Sequence, residues 1–243
     1  MKGTRESRGA RSEKGKSMDI SLYYEERGAG FPLVLLHGNG ESHEYFARQM
    51  EPFSRAFRVL APDTRGHGRS PRGEGAFTLR RFADDLYDFL RARGIERAHI
   101  LGFSDGGNNA LYFALAHPEM VDHLILNGAN LRPAGVKRRY QLPIEIGYKI
   151  AKRFAGKSAG ARAHAETLAL MVNEPDISPE QLHALTMPTL VIAGIKDMIR
   201  RSNTEEIAKN LPNATALFLP GNHFVAAGNP EAFNAAVLDF LKG

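Results

Sequence analysis

Apolar and polar positions along this chain follow two periods. From residue 20 onward, short contiguous apolar runs at 33–36, 59–61, 100–103 and 124–126 are separated by segments whose apolar residues recur every three or four positions. Contiguous runs of this length predict strands buried on both faces, as in a parallel sheet. Residues 20–26 alternate instead, as an outer strand does. Residues 79–93 place Leu79, Phe82, Ala83, Leu86, Phe89 and Leu90 on one helical stripe with charges opposite, and 108–117 has helical spacing too. Further strands are expected at 189–193 and 216–219, and a closing helix at 233–241. Strands and helices therefore alternate, which predicts the α/β class with a mostly parallel sheet flanked by helices.

The rhythm breaks over residues 131–186, where helical spacing continues without a convincing strand. Ile144, Tyr148, Ala151 and Phe154 or Ala155 recur at helical intervals, so this stretch reads as a helical lid inserted into a core formed by 18–130 and 187–243. Lys137, Arg138, Arg139, Lys149, Lys152, Arg153, Lys157 and Arg162 face only Glu145 there. That surplus reads first as a solvated helix face and second as a rim attracting anions.

Composition narrows the picture without changing it. A chain of 243 residues with 43% hydrophobic content suits one α/β domain with an insertion. No apolar run approaches the roughly 18 residues that cross a bilayer, and the start lacks a signal-peptide core. A cytoplasmic protein with no membrane partner is expected. Zero cysteines remove disulfides and thiolate chemistry, and no metal-ligand spacing is legible. The formal charge of +5 is mostly local: six basic residues against Glu6 and Glu13 put +4 of it in residues 1–17. That segment has little apolar surface to bury, so a disordered basic tail is expected, with no specific nucleic-acid partner.

The chemistry begins at Gly102-Phe103-Ser104-Asp105-Gly106, between an apolar run and a helical segment. A Gly-x-Ser-x-Gly turn from strand to helix lifts the serine oxygen onto a tight elbow, and side chains at the two glycines would collide with the neighbouring strand and helix. Acyl transfer also needs a base and an acid to orient it. Asp197 follows the strand expected at 189–193, at the carboxyl edge where open α/β sheets gather functional groups. His223 lies on the loop after the next strand. These are the candidate acid and base. An aspartate after a strand can instead cap the next helix, in which case Asp63 is the substitute acid. His37 and His67 read as conformational, and His117 and His123 as residues near element ends.

In that order of serine, acid and histidine the chain resembles the α/β-hydrolase fold superfamily, from about residue 18 to its end. His37-Gly38-Asn39-Gly40 resembles the family's oxyanion loop, which implies that the backbone N–H groups of Asn39 and Asp105 form the oxyanion hole. Asp63 to Ser70 is similar to the turn that supports the site after the corresponding strand. The resemblance implies a serine hydrolase that cleaves small carboxylic esters through an acyl-enzyme, with no cofactor, no metal and a small-molecule ester as its partner. Family members with the same three residues also hydrolyse carbon–carbon bonds, form peracids or act as lyases, and some serve as ligand receptors. Those remain alternatives. Ser104-Asp105-Gly106-Gly107, with Gly128-Ala129-Asn130, is most similar to the biphenyl-hydrolase-like amino-acid ester hydrolases. That likeness implies that Asp105 and Asn130 contact substrate, with Asp105 holding an ammonium group. The competing reading has Asp105 bonded to neighbouring backbone or to Asn108 or Asn109.

Overall fold

The computed structural model describes residues 19–242, and the tail assigned to residues 1–17 lies outside them. Seven strands form one sheet: β1 (Tyr24–Arg27), β2 (Pro32–Leu36), β3 (Arg58–Pro62), β4 (Ala98–Phe103), β5 (Val121–Asn127), β6 (Thr189–Gly194) and β7 (Ala214–Leu219). Their order is β1-β3-β2-β4-β5-β6-β7, and every pairing is parallel except that of the edge strand β1 with β3. The expected first strand is shorter than its alternation suggests. Only Tyr24–Arg27 joins the ladder, and just before the expected strand the two carboxylate oxygens of Asp19 accept from the Arg65 guanidinium at 2.9 and 2.8 Å.

The central strands are contiguous apolar runs because both faces are covered. Leu33 and Leu35 of β2 point into a core shared with α1 (Ala47–Ser54) and α8 (Pro230–Lys242), through Phe53, Phe233 and Val237. Val34 and Leu36 point the other way, toward α2 (Leu79–Arg91), α3 (Asp105–Ala116) and α6 (Arg201–Asn210). The Thr78 hydroxyl caps α2 by accepting from the Arg81 N–H at 3.2 Å. Leu86, Phe89 and Leu90 of that helix are buried against the sheet, each contributing roughly 2 kcal/mol of apolar burial.

The stretch between β5 and β6 carries α4 (Arg138–Phe154) and α5 (Ala159–Asn173) and no strand of the sheet. Gln141 and Ala151 of α4 are buried, and Ile144 and Tyr148 partly so, whereas Leu142, Ile146, Ile150 and Phe154 are exposed. The basic residues of α4 and α5 are also exposed, apart from half-buried Lys137, and Arg138 pairs with Glu145 at 2.6 Å. Among the described residues no helix is long and apolar enough to cross a membrane.

The chain runs from β2 to β3 on one side and then crosses back over β2 to β4. Loops leaving β2 and β4 therefore diverge at the carboxyl edge of the sheet, and such a switch point opens a crevice between them. Asn39 lies in the first of these loops and Ser104 in the second.

Candidate active site

Ser104 sits between β4 and α3 with φ 53° and ψ −122°, the one non-glycine residue with positive φ among those described. A side chain tolerates that region only when its surroundings enforce it. They do here. The Ser104 N–H donates to the Asn127 carbonyl at 2.8 Å, and the chain on both sides is pressed against backbone. A Cβ on Gly102 would stand 2.3 Å from the Gly106 carbonyl oxygen, and one on Gly106 2.1 Å from that of Leu36. The two glycines thus let β4, α3 and the end of β2 meet closely enough to set the serine's angle.

Asp197 follows β6 and His223 follows β7, and the structure brings both to Ser104. The His223 Nδ1–H donates to Asp197 Oδ1 at 2.7 Å, and Nε2 accepts from the Ser104 hydroxyl at 2.9 Å. The pattern of partners assigns this tautomer. Asp197 is held in turn by N–H groups of Ile199 at 2.9 Å and Gly194 at 3.3 Å. It does not cap α6, whose N-cap is Arg200. His223 and Asp197 are both buried, so water competes little for their hydrogen bond. Asp63 is engaged elsewhere, accepting from the His43 N–H at 2.7 Å, the His43 ring at 2.8 Å and the Arg69 N–H at 2.8 Å. Burial alone would raise its pKa, but those donors outweigh it and hold the carboxyl below its usual range.

The loop after β2 is fixed from three directions. His37 donates to the Gly38 carbonyl at 2.8 Å and accepts from the Thr64 N–H at 3.0 Å. Burial depresses its pKa to about 4, which keeps the ring neutral and the acceptor available. Glu41 accepts from the Gly38 N–H at 3.2 Å, and burial pushes its carboxyl up to about 7. The Asn39 side-chain amide donates to Asp105 Oδ2 and to the Thr167 carbonyl of α5, each at 2.8 Å. Glu41 lies within a residue or two of the glycine-rich loop, but nothing in the sequence marks it out. Thr167 acts through its backbone, which leaves no residue-type signal at all.

Asp105 and Asn130 belong to one amide network. Asp105 Oδ1 accepts from Asn108 at 3.0 Å, and burial raises the Asp105 pKa against the opposing pull of Asn39 and Asn108. Asn108 also donates to Asn130 Oδ1 at 3.1 Å and accepts from the Asn130 N–H at 2.9 Å. Asn130 donates onward to the Arg132 carbonyl at 2.9 Å, so its amide is committed at both ends. The Asn109 amide and Asn39 Oδ1 are buried without a hydrogen-bond partner among the described residues, and both line a small cavity with His67, Phe82 and Leu170. Beside the candidate base, Phe103 is centred 5.0 Å from His223 and stacked on Tyr45 at 4.2 Å. A neutral imidazole bonded to a hydroxyl on one side and a carboxylate on the other can move a proton from that hydroxyl to a leaving group.

Comparison with known proteins agrees with this architecture. The model of the alpha/beta hydrolase fold family matches residues 32–145. A Caulobacter protein named "Putative carbamate hydrolase RutD" is 31% identical, the match covering 91% of this chain and 96% of that one. The 2-hydroxy-6-oxo-6-(2'-aminophenyl)hexa-2,4-dienoic acid hydrolase of Metapseudomonas resinovorans is 26% identical, with 92% and 88% covered. The crystal structure of a hydrolase from Pseudomonas aeruginosa superposes with a TM-score of 0.77 at 28% identity, covering 97% of this chain and 98% of that one.

Proposed function

The chain belongs to the alpha/beta hydrolase fold family, and from that premise we propose that it hydrolyses small carboxylic esters through an acyl-enzyme on Ser104. One observation carries the reading: the continuous hydrogen-bonded line from Ser104 through His223 to Asp197. As the Ser104 oxygen attacks the carbonyl carbon, its proton passes to His223 Nε2, and the carbonyl electron pair moves onto oxygen. The backbone N–H groups of Asn39 and Asp105 receive that oxyanion. Collapse of the intermediate expels the alcohol, which takes the proton from His223. Water then repeats the sequence, releasing the acid and restoring the serine. Asp197 holds the imidazole tautomer throughout.

A second reading is hydrolysis of a carbamate, for which the name of the 31% identical relative is the specific support. The same residues serve it: the alcohol leaves as before, a carbamoyl group stays on Ser104, and water releases it as carbamic acid, which loses carbon dioxide to give an amine or ammonia. Asp105 is the residue that would favour a substrate bearing an ammonium group, in the manner of the amino-acid ester hydrolases, with Asn130 supporting it through Asn108. Turnover of p-nitrophenyl esters of increasing chain length, beside the matching p-nitrophenyl carbamates and amino-acid esters, tests the proposal with Ser104→Ala as the blank. Ester turnover that vanishes in the blank supports it. Carbamate turnover without ester turnover replaces it with the second reading, and equal rates in parent and blank refute both.

A further inference from the structure

At the opposite end of β4 from Ser104 lies a cluster that the proposed chemistry does not use. The β4–β5 ladder pairs Ala98 with Val121 and then Ile100 with Leu124, so Asp122 and His123 together oppose the single residue His99. Neighbouring residues on a regular strand point to opposite faces. An extra residue of this kind re-aims side chains, and here it turns both Asp122 and His123 toward His99. Asp122 Oδ2 stands 2.7 Å from His123 Nδ1 and 3.2 Å from His99 Nδ1. The donor atoms of all three residues lie within 4.8 Å of one another.

We propose that His99, Asp122 and His123 bind one divalent transition-metal ion of the zinc class, bridging the amino ends of β4 and β5. Two imidazoles and a carboxylate suit zinc, cobalt or nickel better than calcium or magnesium, which favour all-oxygen sets. Ligand atoms around a tetrahedral ion with bonds of about 2.0–2.2 Å are separated by roughly 3.3 Å, so a pair now as far as 4.8 Å apart closes by at most about 1.5 Å and the 2.7 Å pair opens by about 0.6 Å to seat the ion. His99 Nδ1 is buried and makes no hydrogen bond among the described residues, because Asp122, though near, is out of line for one. A buried imidazole nitrogen without a partner calls for an explanation, and a bound ion supplies one.

The surroundings hold the ligands in place. His99 is packed between Phe31, centred 4.6 Å away, and Phe57 at 5.3 Å, and His123 lies 5.3 Å from Phe240. Rings held by packing lose little further freedom on binding. Arg97 contacts Asp122 Oδ1 at 2.9 Å, which orients the carboxylate so that Oδ2 faces His123 Nδ1, hydrogen-bonded to it at 2.7 Å, and the ion would take the place of that shared proton. Three protein ligands leave a fourth position to solvent. Five strand residues, about 16 Å, separate the cluster from Ser104, so its effect falls on the stability of the sheet and not on the chemistry.

The test is calorimetric titration of Zn²⁺ into the full chain after dialysis against a chelator, with Asp122→Asn and His123→Ala beside the parent. The parent is expected to bind one equivalent, each variant at least tenfold more weakly, and Zn²⁺ to raise the melting temperature of the parent alone. Co²⁺ bound to the parent is expected to show the intense visible absorption of four- or five-coordination, a readout independent of how the variants fold. Absence of saturable binding, equal binding by both variants, or the weak absorption of six-coordinate Co²⁺ would each overturn the site.

Discussion

The side-chain amide of Asn39 donates to Asp105 at 2.8 Å, tying the loop after β2 to the helix that starts beside Ser104. The same nitrogen donates to the Thr167 carbonyl at 2.8 Å, so α5 is fastened to the same point. An oxyanion donor contributes about 3–4 kcal/mol when fixed in place. Asn39→Ala keeps the backbone N–H but removes both tethers. We expect kcat for an ester to fall about tenfold, a fraction of that full effect, with KM nearly unchanged. Steady-state kinetics check this, and an unaltered kcat contradicts it.

Gly128 has φ +65°, and a Cβ there would stand 2.8 Å from His223 Cε1. Gly128→Ala must push the imidazole away from Ser104 or strain the turn. The expected result is a loss of at least 100-fold in kcat, since a displacement near 1 Å is costly at a reacting centre. Circular dichroism should show the fold retained. Activity within threefold of the parent would mean that the ring has room to move.

Glu41 gives a pH dependence of stability. Its folded pKa of about 7 lies above the ordinary 4.5 because burial disfavours the charged form, the Gly38 N–H acting in the other direction. The contribution is therefore complete below pH 4.5 and is lost as pH rises through about 7. Solvent reaches part of the carboxyl, so we expect the loss to be on the order of 1 kcal/mol. Glu41→Gln should remove it. Chemical denaturation of both proteins at pH 5 and pH 8 measures the difference, and parallel behaviour contradicts the assignment.

Arg65 is fully buried, and its guanidinium donates to Asp85 at 2.7 and 2.6 Å as well as to Asp19. Asp85→Ala leaves part of that charge unpaired in the interior. Removing one member of a buried pair costs about 3–5 kcal/mol, which corresponds to a fall of roughly 6–20 °C in Tm for a chain of this size. Differential scanning calorimetry reads it, and a fall under 2 °C would show that Asp19 alone satisfies Arg65.

These features differ in how far the sequence discloses them. The central strands were legible because burial on both faces writes contiguous apolar runs, and the glycines around Ser104 because backbone contact forbids any larger residue. From strand order alone the ends of β4, β6 and β7 fall on one edge, which is where Ser104, Asp197 and His223 meet. By contrast, α1 contains Pro52, and α6 buries one large apolar side chain, Ile207, so neither writes a clear stripe. The Asn39–Asp105 tie spans 66 residues and depends on how two loops settle. The grouping of His99 with Asp122 and His123 depends on a ladder irregularity that no residue type announces.

The account rests on Ser104 being activated by His223. Mass spectrometry of the protein after brief exposure to a fluorophosphonate measures this directly. We predict a single covalent adduct on Ser104 that disappears in Ser104→Ala and forms at least 100-fold more slowly in His223→Ala, in line with the contribution of a general base. An unmodified Ser104, or an adduct that forms equally fast without the imidazole, would contradict it.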